Sequence, residues 1–162
     1  MKFYRLDSKK RTVADAFSGK GGLFAAGRWN SLGGLVVYAS ESVSLAYLER
    51  LAHFDSNNPA EDLHLFEIDI PNGLIEFLTE KSLPKGWDIR PPGPVSRALG
   101  DAWLARKQFA ALVVPSVIVV QERNALINPL HPKFDLGWVK GPVLFKHDSR
   151  LASPADKKKL KK

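Results

Sequence analysis

The chain has 162 residues, 44% of them hydrophobic and 25% charged, a balance that suits a single domain with a buried core. It has no cysteine, which excludes disulfides and thiol nucleophiles, and only four histidines, too few for a zinc site without carboxylate help, so no metal is expected. A formal net charge of +7 admits a nucleic acid, an acidic protein or a phosphate-bearing small molecule as partner. No apolar run approaches the roughly 20 residues of a membrane span, and Met1 to Asp7 lacks the apolar stretch of a secretory signal, so a cytoplasmic location is expected. Lys157, Lys158, Lys159, Lys161 and Lys162 crowd the C-terminus, which reads as a domain over 1–152 followed by a basic, disordered tail over 153–162.

In chain order, Phe3 to Leu6 reads as a short strand and Val13 to Phe17 as one helical turn. Ser18-Gly19-Lys20-Gly21-Gly22 holds regular structure poorly, and it lacks the Walker spacing that would make it a phosphate loop. Gly27 to Asn30 then lies between two loops, which places Arg28 on a turn or short extended segment. Leu35 to Ala39 is a β-branched, apolar run, as in a strand covered on both faces. Ser40 is the expected cap of a helix with Glu41 in its first turn, running to about Phe54 and apolar over most of its circumference through Leu45, Leu48, Leu51, Ala52 and Phe54. Ser42, Glu49 and His53 fall on one side of that helix.

Asp55 to Asp62 reads as a loop. Leu63 to Ile70 alternates as a half-exposed strand, with a phase slip at Leu65-Phe66 that predicts a bulge, and Pro71 stops it. Lys81 to Pro94 is a proline- and glycine-rich loop anchored by Trp87, and Val95 to Lys107 a helix burying Leu99, Trp103 and Leu104. Ala111 to Val114 and Val117 to Val120 read as two buried strands hinged at Pro115-Ser116, and Asn124 to Asn128 as one more. The elements compose an α+β fold, a single domain with mixed or antiparallel sheets.

Each residue of chemical interest has two readings. Arg28 is a phosphate clamp, its forked donors matching phosphate oxygens, or a surface arginine stacked on Trp29. Tyr38 stacks on a planar ligand ring or is a core tyrosine whose hydroxyl finds a carbonyl. Glu49 is an acid, base or stabiliser of positive charge, or half of an ion pair with Arg5 or Arg50. A carboxylate among leucines is costly and perturbed groups gather at sites, which favours function. Ser116 faces a site or fills a bend, and no Gly-x-Ser-x-Gly elbow surrounds it. His53 reads as a helix-end structural residue and His131 as a loop residue bonding backbone. Lys85, Arg90, Arg97, Arg106 and Lys107 are scattered, a weak pattern for nucleic acid.

An ordered series along the chain, Tyr4-Arg5, Gly27-Arg28-Trp29-Asn30, Val37-Tyr38-Ala39-Ser40-Glu41-Ser42, Leu48 to His53, Leu99 to Leu104, Val114-Pro115-Ser116, Asn124 to Pro129 with His131-Pro132, and Asp148 to Leu151, resembles the RES-domain toxins of bacterial Xre–RES toxin–antitoxin pairs. Ala26 stands where the family usually has glycine, and Leu32 replaces a common proline. The resemblance implies a fold similar to ADP-ribosyltransferases and cleavage of the nicotinamide–ribose bond of NAD, which is substrate rather than cofactor. It implies Arg28, Glu49 and Ser116 as the naming triplet, with Arg5, Tyr38 and His53 as further NAD-binding residues. It also implies a cognate Xre-type helix-turn-helix antitoxin as partner, and a homo-oligomer within that complex. Two alternatives stand beside this expectation: a mono-ADP-ribosyltransferase acting on a protein, and a non-catalytic basic module binding nucleic acid.

Overall fold

A computed structural model describes residues 1–52 and 62–151. Seven strands, β1 (Lys2–Ser8), β2 (Val37–Ser40), β3 (Leu63–Asp69), β4 (Ile75–Phe77), β5 (Ala111–Pro115), β6 (Arg123–Ile127) and β7 (Val139–Phe145), form one sheet in the order β4-β5-β6-β2-β1-β3-β7. Only β4 and β5 run parallel, so the sheet is mixed and the domain is α+β, as expected. Three α-helices pack on it: α1 (Val13–Ala16), α2 (Val43–Ala52) and α3 (Pro94–Arg106).

Side-chain alternation sorts the sheet into two buried faces. Phe3, Val37, Ala39, Phe66, Ile68, Val113, Ala125 and Ile127 fill one face under Phe17, which follows α1 and meets Phe66 edge-on at 5.9 Å. On the other face, α3 presses Trp103 against Leu112, Val114 and Leu126, while α2 presses Ala46 and Tyr47 against Leu6 and Leu63. The two helices thus cover the two ends of one face. Between them lies the seam of β1 and β2, which pair only at Tyr4 and Ser40, although β1 and β3 pair over all seven residues of β1.

Several expectations shift for local reasons. Ser40 belongs to β2, and the cap of α2 is Ser42, whose Oγ accepts from the Leu45 N–H at 3.0 Å. Glu41 therefore precedes the helix and is taken by Arg123, through the backbone N–H and Nε at 2.9 Å each. The helix is less enclosed than expected: it buries Leu45, Ala46 and Tyr47 but leaves Leu48 exposed. Val117 to Val120 is a turn instead of a strand, because the Ser116 Oγ accepts from the N–H groups of Ile118 (3.0 Å) and Val119 (3.2 Å) and satisfies locally the donors a ladder would use. Lys20–Leu23, within the glycine-rich stretch, closes into a 3-10 helix.

The irregularity foreseen at Leu65-Phe66 is present, but the extra residue sits on β7. Leu65 pairs with Val143 and Glu67 with Lys140, and Gly141 opposite takes a φ of +110. Trp87 anchors its loop as expected, stacked on Trp29 at 5.8 Å. His131 Nδ1 accepts from the Lys133 backbone, as a loop histidine does. The loop expected over Asp55 to Asp62 falls, all but Asp62, outside the described residues, as do the end of the helix, with His53, and the basic tail.

Gly100 is where α3 touches the turn carrying Arg28: a Cβ there would come within 1.9 Å of the Trp29 carbonyl oxygen. Gly100→Ala is expected to lower unfolding free energy by about 3 kcal/mol, the upper range for overpacking, because the atom it meets is backbone. A denaturant midpoint unchanged from wild type would contradict this contact.

Candidate active site

Glu49 is half-buried on α2 and reaches across the seam. Its Oε1 accepts from Asn124 Nδ2 at 2.5 Å and from Ser116 Oγ at 3.1 Å. Neither Arg5 nor Arg50 pairs with it, so the ion-pair alternative is corrected: neutral donors meet this carboxylate. Among the described residues, Oε2 of Glu49 has no hydrogen bond. Ser116, 1% exposed, already receives two backbone N–H groups, so its one proton is directed at Glu49. Asn124 is oriented in turn by Ser40, whose Oγ donates to Oδ1 at 2.7 Å.

The second component is the Arg28 turn. Gly27 N–H bonds Asn30 through both its carbonyl and its Oδ1, closing the loop. The Tyr38 hydroxyl donates to Asn30 Oδ1 at 2.7 Å and accepts from the Trp29 N–H at 3.1 Å, so its partners are an amide oxygen and a backbone donor. Asp101 on α3 grips the far side of the turn, accepting from Ser31 N–H at 2.9 Å and Ser31 Oγ at 2.5 Å. Arg28 Nη1 then donates to the carbonyls of Trp87 (2.8 Å) and Ile89 (3.1 Å). Burial lowers the Arg28 pKa, and the nearby Arg90 charge adds to this, while Asp88, Glu49 and Tyr38 oppose it.

Two further arginines converge here, which their scatter in the sequence concealed. Arg97 Nε donates to the Gly27 carbonyl at 3.1 Å, and Arg90 Nη2 donates to the Val117 carbonyl beside Ser116. Arg5 leaves β1 toward the seam, its Nη1 on the Tyr38 carbonyl at 2.9 Å and its Nη2 on Asp7 at 2.6 Å. Glu49 and Ser116 are thus bonded to each other, Tyr38 holds the turn that carries Arg28, Arg5 braces β1 against β2, and His53 lies outside the described residues. Sequence reasoning missed Asn124, Ser40, Asn30 and Asp101, each polar and each half-buried or buried. Their signal was weak: a buried polar residue next to an apolar run, whose partner lies far along the chain.

These features define the class: an α+β domain with a carboxylate-and-arginine site at the seam of a mixed sheet. The chain belongs to the RES domain family, whose model matches residues 2–144. It is 42% identical over 134 residues to the Prs ADP-ribosylating toxin of Sphingobium sp. (strain YBL2), covering 80% of this chain and 83% of that one. It is 35% identical over 153 residues to Toxin Res of Yersinia enterocolitica, covering 93% and 99% of the two chains. Its fold is similar to a chain in the crystal structure of the M. tuberculosis MbcT–MbcA toxin–antitoxin complex, with a TM-score of 0.65 and 19% identity over 89% of this chain and 83% of that chain. No helix among the described residues is long and apolar enough to cross a membrane.

Burial pushes the Tyr38 phenol well above its ordinary value near 10, against the opposing pull of the Trp29 N–H, Arg28 and Arg97. An acid raised in the fold stabilises it below the unfolded value and loses that contribution as pH rises, because the unfolded chain releases its proton first. Tyr38→Phe is expected to cost about 1–3 kcal/mol at neutral pH by stranding the Trp29 N–H. That difference should shrink by up to about 1.4 kcal/mol per pH unit above pH 10, read from urea unfolding of both proteins. A gap that stays constant from pH 8 to 11 would contradict the buried neutral phenol.

Proposed function

We propose that this protein is the toxin of a toxin–antitoxin pair and consumes NAD by cleaving the nicotinamide–ribose N-glycosidic bond, with water or phosphate as acceptor. The observation that carries the reading is the orientation of Glu49: both donors fall on Oε1, leaving Oε2 available to a ligand. The names of the relatives, Toxin Res and an ADP-ribosylating toxin, support it.

In the reaction, the C1′–N bond breaks and its electron pair leaves with nicotinamide, which departs neutral. Positive charge passes to the ribose, spread over C1′ and the ring oxygen. A fixed carboxylate is most useful against charge that develops only in the transition state, and it needs no solvent reorganisation to act. Glu49 Oε2 takes that role, toward the ribose or its hydroxyls. Arg28, with donors beyond the Nη1 used on the loop, meets the diphosphate, and Tyr38 presents its half-buried ring to the nicotinamide. Ser116 acts through Glu49 as a positioning residue, since its lone pairs are occupied by backbone donors. Water adding at C1′ and losing a proton yields ADP-ribose, and phosphate yields its phosphorylated form.

A cognate Xre-type helix-turn-helix antitoxin holds the enzyme inactive in this reading, in keeping with the toxin–antitoxin complex that contains the similar fold. The second reading, transfer of ADP-ribose to a protein, is favoured by the name of the Sphingobium relative. Label from NAD fixed on a protein band would support transfer, and free ADP-ribose or its phosphorylated form would support degradation.

Purified protein is expected to release nicotinamide from NAD. NAD left intact, with a nucleic acid bound in a steeply salt-dependent manner, would overturn the enzymatic reading in favour of a binding module. Glu49→Gln is expected to keep the fold and lose activity by about 10²–10³-fold, the scale of removing one electrostatic stabiliser. Near-normal turnover in that variant would take Glu49 out of its role.

A further inference from the structure

Behind Glu49 on α2 stand two polar residues that the proposed reaction leaves unused: buried Ser40 on β2 and half-buried Asn124 on β6. The direction of this hydrogen-bond chain can be read without ambiguity. A serine hydroxyl has one proton, and an asparagine amide has one accepting and one donating end. Ser40 lies 2.7 Å from Asn124 Oδ1, and a carboxylate lies 2.5 Å from Nδ2. Turning the amide over would aim its oxygen at the carboxylate, two acceptors in contact, and would leave the Ser40 proton facing a donor. The chain therefore runs one way, from Ser40 through Asn124 to Oε1 of Glu49.

The backbone fixes the source of this direction. Ser40 and Asn124 are directly opposed in the β2–β6 ladder, so their separation is set by sheet geometry and not by flexible loops. Both side chains stand on the face that α2 and α3 cover. The Asn124 neighbour on β5 is Val114, two residues before Ser116, so one donor to Glu49 comes from β6 and the other from the turn that follows the adjacent strand β5.

From this geometry we infer that Asn124 is a positioning residue: held by Ser40, it pins Oε1 of Glu49 and thereby turns Oε2 toward the reacting ribose. The inference deepens the proposed NAD cleavage and rests on it. A carboxylate held by Ser116 alone, through one bond of 3.1 Å, still swings about that bond, whereas a second donor from β6 restrains that swing. The loss on removing Asn124 then falls on the reacting oxygen, since the diphosphate and nicotinamide contacts lie elsewhere.

Four variants test this by steady-state NAD cleavage and 15N NMR of the full chain. Asn124→Ala is expected to lower kcat about 30-fold or more with KM for NAD within threefold of wild type. Ser40→Ala, a near-isosteric change that keeps the strand, is expected to lower kcat about three- to tenfold with KM unchanged. The double variant is expected to match Asn124→Ala alone, because Ser40 acts only through Asn124. In the spectrum, one Asn124 side-chain amide proton should lie downfield and collapse toward a free amide in both Ser40→Ala and Glu49→Ala. A kcat for a folded Asn124→Ala within twofold of wild type, a loss confined to KM, or losses that multiply in the double variant would each overturn the assignment. Should Asn124→Ala not fold, Ser40→Ala with wild-type kcat overturns it alone. An unshifted amide in the wild type overturns it whether or not NAD is cleaved, and a shifted amide with no nicotinamide release overturns the NAD reading instead.

Discussion

A carboxylate drawn out of water has to be met by donors, and at Glu49 meeting that demand ties α2 to β2, β5 and β6 at once. The donors arrive from Asn124 at 2.5 Å and Ser116 at 3.1 Å, with Ser40 behind the first and two backbone N–H groups behind the second. Charge-assisted bonds of this kind are about twice as strong as neutral ones, and they are directional. The end of β5 follows from the same demand. Ser116 caps its own turn instead of continuing a strand, which frees its single proton for the carboxylate. The helix, the strand end and the loop beyond it are therefore one device.

The other half of the site answers a different constraint, that of placing a guanidinium on a turn with no helix or strand to hold it. The turn is fastened from three directions: Tyr38 beneath it, Asp101 from α3 and Arg97 across the Gly27 carbonyl. Gly100 lets the helix close to within contact of the Trp29 backbone, and Trp29 carries Trp87 on its ring. Arg28 then bonds the loop that Trp87 anchors, so its position and that of the loop are set together. The side chain is architecture through Nη1, while its remaining donors stay free of that task.

Much of this was legible in residues that local physics governs. The apolar runs of β2, β5 and β6, the proline that ends β3, the anchor Trp87 and the cost of a carboxylate on a packed helix all show in the sequence, because each depends on near neighbours. Ser40 was misread as a cap because Ser-Glu-Ser offers two capping serines, and only the end of β2 decides between them. Val117 to Val120 has the composition of a strand, yet the hydroxyl of Ser116 outcompetes the ladder for its donors. Asn124, Asp101 and Asn30 stand in the series that carries the family resemblance, but their roles do not show in the sequence, because their partners are 75, 70 and 8 residues away and no local pattern marks such pairs. Arg90 and Arg97 looked scattered for the same reason.

The pairing that most constrains chemistry is the one the sheet almost omits. β1 and β2 meet only at Tyr4 and Ser40, and beyond that pair Arg5 bridges the strands by donating to the Tyr38 carbonyl. Asp7 fixes that guanidinium at 2.6 Å. A continuous ladder would draw the two halves of the sheet together beneath the site. The single pair keeps Ser40, the start of the hydrogen-bond chain to Glu49, locked to β1 on one side and to Asn124 on the other. Tyr38, two residues earlier, is left with its carbonyl on Arg5 and its hydroxyl on the Arg28 turn. Two successive residues of one strand face thus serve the two halves of the site, Ser40 the carboxylate and Tyr38 the guanidinium. β2 therefore anchors both halves through neighbouring positions on one face, while the loop that Arg28 bonds completes the placement of the guanidinium.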